Sequence, residues 1–142
     1  MIHYYAKFAK QADGSYLVEF PDLPGCLTEG RTQKQALQHA KEALDGWLAA
    51  HCDRLLDVPK PRKRQGGNFH PIEVDIQVAF VIELRRLRKK KGLSQSAVAK
   101  RLGISQQAYA KLETPLSANP SLTTIQKLSE ALDAELEIKL VA

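Results

Sequence analysis

Gln95-Ser96-Ala97-Val98-Ala99-Lys100-Arg101-Leu102-Gly103-Ile104-Ser105-Gln106-Gln107-Ala108-Tyr109-Ala110-Lys111-Leu112-Glu113 governs the rear half of the chain. Ser94 and Ser105 stand at helix starts, where a hydroxyl accepts from a first-turn N–H that has no intrahelical partner. Two helices crossing at a tight turn need a small residue where their axes approach, and Ala99 supplies it. They also need a residue tolerant of left-handed backbone, and Gly103 supplies that. Val98, Leu102, Ile104, Tyr109 and Leu112 fall where the shared core is expected. The first helix should run through Leu102 and the second through Glu113, with Pro115 forbidding continuation. The pattern is a helix-turn-helix.

On its N-terminal side, Val78, Ile82, Leu84 or Arg85, and Leu87 or Arg88 predict a helix from Ile76. It ends in the basic run Arg85–Lys91 before Gly92, which suits both the helix dipole and a left-handed cap. On its C-terminal side, Ser121 or Thr123 opens a helix carrying Leu122, Ile125, Leu128 and Leu132. Leu136, Ile138 and Leu140 then alternate with Glu137 and Lys139, predicting a half-buried strand. With these flanks the motif resembles the repressor type of phage lambda regulators, whose third helix enters the major groove. The resemblance places Gln106 and Gln107 as base readers, since a carboxamide can pair with adenine through both its donor and its acceptor. Ala110 would touch a thymine methyl, Lys111 guanine or phosphate, and Gln95 and Ser105 the phosphate backbone. Such units read DNA as dimers, and the C-terminal strand, with its unpaired edge, is expected to pair with a second copy.

The front half reads differently. Residues 2–10 and Tyr16–Phe20 predict strands about an Asp13-Gly14 hairpin, and Cys26–Glu29 a short third strand ending at Gly30. Thr32 with Gln35 has the form of a capping box, and Leu37, Ala40, Leu44, Trp47 and Leu48 form the apolar stripe of the helix it opens. Pro59–Asn68 reads as an exposed linker, and residues 69–75 as a strand returning to the first module. The expected fold is α+β. A small N-terminal antiparallel sheet with one helix (1–59) is joined by a basic linker (60–70) to an all-α helix-turn-helix domain with a dimerisation strand (71–142).

The chain has 142 residues and a net charge of +5, unevenly spread. Residues 1–59 hold six basic and eight acidic side chains, residues 60–70 four basic and none acidic, and residues 71–142 eleven basic and eight acidic. An acidic front and a basic rear imply different partners, the rear one polyanionic. The longest apolar run, Val78–Ile82, is five residues, against about 20 for a membrane span. No basic leader with an apolar stretch is visible, and Cys26 and Cys52 form no disulfide framework, so a reduced cytoplasm is expected. His3, His39, His51 and His70 lack ligand spacing, no glycine loop cradles phosphate, and neither cofactor nor metal is expected.

Tyr16-Leu17-Val18-Glu19-Phe20-Pro21-Asp22-Leu23-Pro24-Gly25-Cys26-Leu27-Thr28-Glu29-Gly30, with the helix opening at Thr32 and Ala43-Leu44-Asp45-Gly46-Trp47-Leu48 within it, resembles the HicB antitoxin family. The resemblance implies a partial ribonuclease-H-like front fold. It also implies a HicA-type partner, a small basic messenger-RNA-cleaving toxin that the front module masks while the rear module represses the shared operon. Tyr16, Glu19, Asp22, Leu23, Pro24 and Gly25 are the expected toxin contacts. A stand-alone regulator sensing a ligand or protein is the competing reading. A two-metal nuclease would need converging carboxylates, one of them on the first strand. That strand has none, Asp13 and Asp22 fall in turns, and Asp45 lies on the helix, so a non-enzymatic regulator is expected.

Overall fold

The computed structural model describes residues 2–142. Its contacts divide into two compact units, one ending at Ala79 and the other beginning at Phe80. Among the described residues no helix is long and apolar enough to cross a membrane.

In the first unit, β1 (His3–Lys10), β2 (Tyr16–Glu19), β3 (Leu27–Gly30) and β4 (Phe69–Glu73) form one antiparallel sheet in the order β3-β2-β1-β4. The helix α1 (Gln33–Asp53) packs on it. The returning strand is thus present, pairing with β1 from His3↔Glu73 to Lys7↔Phe69. Strand alternation sends Tyr4, Ala6, Phe8, Val18 and Ile72 into the core. At the β1–β2 hairpin Gly14 takes φ 86°, and Asp13 Oδ1 accepts from Ser15 N at 3.0 Å.

Thr32 caps α1, its Oγ1 accepting from Gln35 N at 3.1 Å. Gln35 Oε1 accepts from Arg31 N at 2.7 Å, so the reciprocal bond of the capping box reaches one residue before the cap. The buried stripe is Ala36, Ala40, Leu44, Leu48 and Cys52, spaced four apart. Leu37 is 37% exposed and Trp47 only half-buried, so the expected stripe was rotated toward its larger side chains. Small residues face the sheet because the backbones approach closely. A Cβ on Gly30 would overlap the backbone nitrogen of Ala36 and lie 2.6 Å from its Cα.

The segment after α1 is irregular and largely exposed, as its prolines, glycines and charges require, and it is tied back to the first unit. Arg62 N donates to Asp22 Oδ2 at 2.8 Å, Arg64 Nη2 donates to Asp22 Oδ1 at 2.7 Å, and the Tyr4 hydroxyl donates to the Pro59 carbonyl.

The helix α2 (Ile76–Lys90) contains the division between the units, and α3 (Gln95–Leu102), α4 (Gln106–Leu112) and α5 (Leu122–Ala131) follow. Ser94, Ser105 and Ser121 are the three N-caps, each hydroxyl accepting from the N–H three residues on. Leu84, Val98, Ala99, Tyr109, Leu128 and Leu132 form the second unit's buried core, with Leu87, Leu102 and Leu112 packed against it. Ile104, expected in that core, is 40% exposed. It follows the left-handed Gly103 and leaves the helix axis before its side chain can turn inward. Beyond α5 the chain forms no strand among the described residues, and the expected half-buried strand is instead open, with Ile138 61% and Leu140 97% exposed.

Candidate nucleic-acid interface

The turn between α3 and α4 is fixed by backbone geometry. Gly103 adopts φ 71°, ψ 29°, and Ile104 N donates back to Ala99 O at 3.1 Å, closing α3 in a left-handed cap. Ser105 then restarts the chain, accepting from Ala108 N at 3.1 Å. Ser105, Gln106, Gln107 and Lys111 are exposed on α4, and Ala110 is half-buried. The loop after α4 is held by Ser117 Oγ donating to Lys111 O at 3.0 Å and by Thr114 Oγ1 donating to Ala110 O at 2.9 Å.

Behind this surface lies a buried ionic cluster that the sequence reading missed. Glu113, 3% exposed, accepts from Arg88 Nε, from Arg88 Nη2 at 2.9 Å, from Gln95 Nε2 at 2.8 Å and from the Tyr109 hydroxyl at 2.7 Å. Burial pushes the Glu113 carboxyl up, but the hydrogen bonds from Arg88, Gln95 and Tyr109 outweigh it and hold the group below its usual range. Burial together with that same carboxylate pushes the Tyr109 hydroxyl far up. The cluster joins the C-terminal end of α2, the start of α3 and the end of α4, so it sets the attitude of the exposed helix. Gln95, expected on a phosphate, spends an amide hydrogen here. The available signal was an acid closing a helix, with a tyrosine four residues earlier and an arginine within a basic run.

That basic run is largely structural. Arg85 and Arg88 are 6% and 9% exposed. Lys91 Nζ donates to Asp133 O at 3.0 Å and Arg101 Nη1 to Ala131 O at 2.7 Å, satisfying carbonyls at the α5 C-terminus. Lys90, Lys100 and Lys111 are exposed.

In the first unit, the β2–β3 loop is held by one buried side chain and by hydrogen bonds from distant residues. Leu23 is fully buried, so it cannot serve the partner contact expected of it. Asp22 is held by Arg62 and Arg64. Burial raises its carboxyl, and the bonds from the Arg62 N–H and the Arg64 guanidinium lower it further than burial raises it. Trp47 Nε1 donates to Pro24 O at 3.2 Å, with Pro24 and Gly25 exposed, Gly25 at φ 84°. Tyr16 is half-buried, its ring 6.4 Å from that of Phe8, while Glu19 is exposed. The exposed apolar side chains sit elsewhere. Leu17 (46%) and Leu27 (59%) share the open sheet face with Glu19 and Glu29, paired Leu17↔Glu29 and Glu19↔Leu27. Cys26 offers no activated thiol: burial pushes it up to about 11.

A small sheet-and-helix unit followed by a capped helix-turn-helix defines a two-part DNA-binding regulator. Residues 84–138 match the helix-turn-helix family, and residues 4–92 match the family described as HicB_like antitoxin of bacterial toxin-antitoxin system. The chain belongs to that antitoxin family. It is 29% identical over 131 residues to Antitoxin HicB of Escherichia coli K12, covering 91% of this chain and 92% of that one. It is 26% identical over 128 residues to Antitoxin HicB 1 of Photorhabdus laumondii, covering 90% and 80%. Over 53 residues it is 32% identical to the HTH-type transcriptional regulator SinR of Bacillus subtilis, covering 37% of this chain and 48% of the relative.

Proposed function

We propose that this chain neutralises a cognate messenger-RNA-cleaving toxin of the HicA type and, as a cytoplasmic dimer, represses the operon that encodes both. The observation that carries the repressor reading is the exposed Gln106-Gln107 pair at the start of a helix anchored from behind by Glu113. In this reading Gln106 and Gln107 read base edges, Ala110 contacts a thymine methyl, and Lys111 and Ser105 engage base or phosphate. Gln95 acts chiefly by holding α3 to Glu113, with its remaining amide groups free to face a phosphate. One unit touches only a few base pairs, so two copies are needed to span adjacent half-sites.

For the toxin, the open face of β2 and β3 is the surface to which we assign contact, with Leu17 and Leu27 as apolar anchors and Glu19 and Glu29 as complements to a basic partner. Tyr16, Pro24 and Gly25 border it, while Asp22 and Leu23 shape the loop from within. The test is growth rescue by co-expression with a small basic toxin encoded beside the gene. The intact chain rescues, and the Leu17→Asp, Leu27→Asp double variant, still folded by circular dichroism, does not. Full rescue by the double variant rejects this surface. Failure of the intact chain to rescue rejects neutralisation itself.

A further inference from the structure

The positive charge of the first unit is concentrated in one stretch. Residues 60–70 hold four basic side chains and no acid, against six basic and eight acidic over residues 1–59. Pro59 and Pro61 fix φ on either side of Lys60. Lys60, Arg62 and Arg64 line a pocket of about 420 Å³, whose other walls are Asp22 and prolines. Asp22 does not turn its charge toward solvent. Its side chain is only 7% exposed, and its two oxygens accept from Arg62 N at 2.8 Å and from Arg64 Nη2 at 2.7 Å. It is the strut that folds the basic stretch back onto the β2–β3 loop. The Arg62 bond is made by its backbone, so its guanidinium is not spent on Asp22, and both Lys60 and Arg62 are exposed. Arg64 lies with its guanidinium carbon 6.0 Å from the Phe69 ring centroid, and its Nε has no hydrogen-bond partner.

We infer that this pocket binds the sugar–phosphate backbone of duplex DNA, giving the first unit a nucleic-acid contact of its own that carries no sequence information. The inference rests on the chain binding duplex DNA, and not on which residues of α4 read bases. Guanidinium and ammonium groups gathered on a concave wall suit the oxygens of a phosphodiester. No aromatic side chain lines the pocket, so it offers no platform for unstacked bases, which favours a duplex over single-stranded RNA. A wall of cations repels a basic toxin, which separates the pocket from the face carrying Leu17, Leu27, Glu19 and Glu29. Because the pocket and α4 belong to one chain, DNA held by either raises the local concentration of phosphates at the other.

The test titrates the full chain across a salt series against its upstream duplex, a random duplex and a single-stranded RNA of the same length. Lys60→Gln combined with Arg62→Gln keeps both Asp22 bonds, since one is to backbone and the other to Arg64. This double variant should lose affinity for both duplexes by one common factor, on the order of tenfold per phosphate contact at about 0.1 M salt, leaving the preference between them unchanged. The slope of log affinity against log salt should become shallower by about 0.9 for each phosphate no longer neutralised. Lys10→Gln combined with Lys34→Gln removes the same charge from exposed positions elsewhere in the first unit and should leave affinity and slope nearly unchanged. An equal loss in that control, an unchanged salt slope in the Lys60, Arg62 variant, or a loss confined to RNA overturns the inference. The Lys60, Arg62 variant should still rescue growth from the toxin, and lost rescue with duplex affinity intact assigns the stretch to the protein partner and overturns it too. An intact chain with no preference for its upstream duplex removes the repressor reading only. A preference that survives with an unchanged slope in the variant removes this inference only.

Discussion

Replacing Glu113 by alanine removes the shared acceptor of four hydrogen bonds from Arg88, Gln95 and Tyr109. The Arg88 side chain is only 11% exposed, so its guanidinium is left as a nearly buried charge without its carboxylate. Breaking such a pair costs about 3–5 kcal/mol. The Tyr109 hydroxyl, fully buried, loses its acceptor as well, a penalty of about 1–3 kcal/mol that overlaps the first because the groups act as one cluster. Gln95 is half-buried and can turn toward water, adding little. The expected loss is therefore about 3–5 kcal/mol, a large share of the roughly 5–15 kcal/mol that stabilises a domain. Urea unfolding followed by far-ultraviolet circular dichroism reads it. Trp47, the single tryptophan, lies in the first unit, and its fluorescence midpoint should move far less. Adding Arg88→Met to Glu113→Ala should recover part of the loss, because it removes the stranded charge. A loss under about 1 kcal/mol, or strictly additive single and double variants, refutes the reasoning.

Three further outcomes are expected. Hydrogen bonding depresses the folded-state ionisation of Glu113, so its contribution is present above the unfolded value and is lost as pH falls through the folded one. Acid titration of the intact chain should destabilise the second unit as pH falls below the ordinary glutamate range, and Glu113→Gln should flatten that dependence. Gly30→Ala forces the Ala36 backbone away from β3 and should cost about 1–3 kcal/mol, read from the Trp47 unfolding transition. Asp22→Ala releases the Arg62 N–H and the Arg64 guanidinium, and should speed tryptic cleavage at Arg62–Arg64 several-fold while β1–β4 persist by circular dichroism.

Local chemistry made much of the fold legible. Serine N-caps, the left-handed glycines at 92 and 103 and the Asp13-Gly14 hairpin all act within a few residues, and the returning strand at 69–73 shows itself by its own composition although its β1 partners lie more than sixty residues away. What stayed hidden depends on distance along the chain. Asp22 and Arg64 are 42 residues apart, and nothing near either announces the other. Arg88 reads as a solvated helix end until α4 brings Glu113 to it. The rotation of α1 is hidden because large apolar side chains look like core, whereas the tight approach at Gly30 demands a small residue at Ala36. Leu23, flanked by prolines and an aspartate, looks like a loop tip but is the loop's buried anchor. The open segment at 136–141 shows why a strand pattern alone does not make a strand: a ladder needs a second edge.

The central claim is that α4 presents Gln106 and Gln107 to duplex bases. Its most direct test is a fluorescence-anisotropy titration of the full chain against the duplex upstream of its own gene and against random duplex at the same moderate ionic strength. The predicted result is a clear preference for the upstream duplex, with Gln107→Ala losing about 1–3 kcal/mol there and little on random sequence. Equal affinity for both duplexes, or unchanged discrimination in Gln107→Ala, contradicts it.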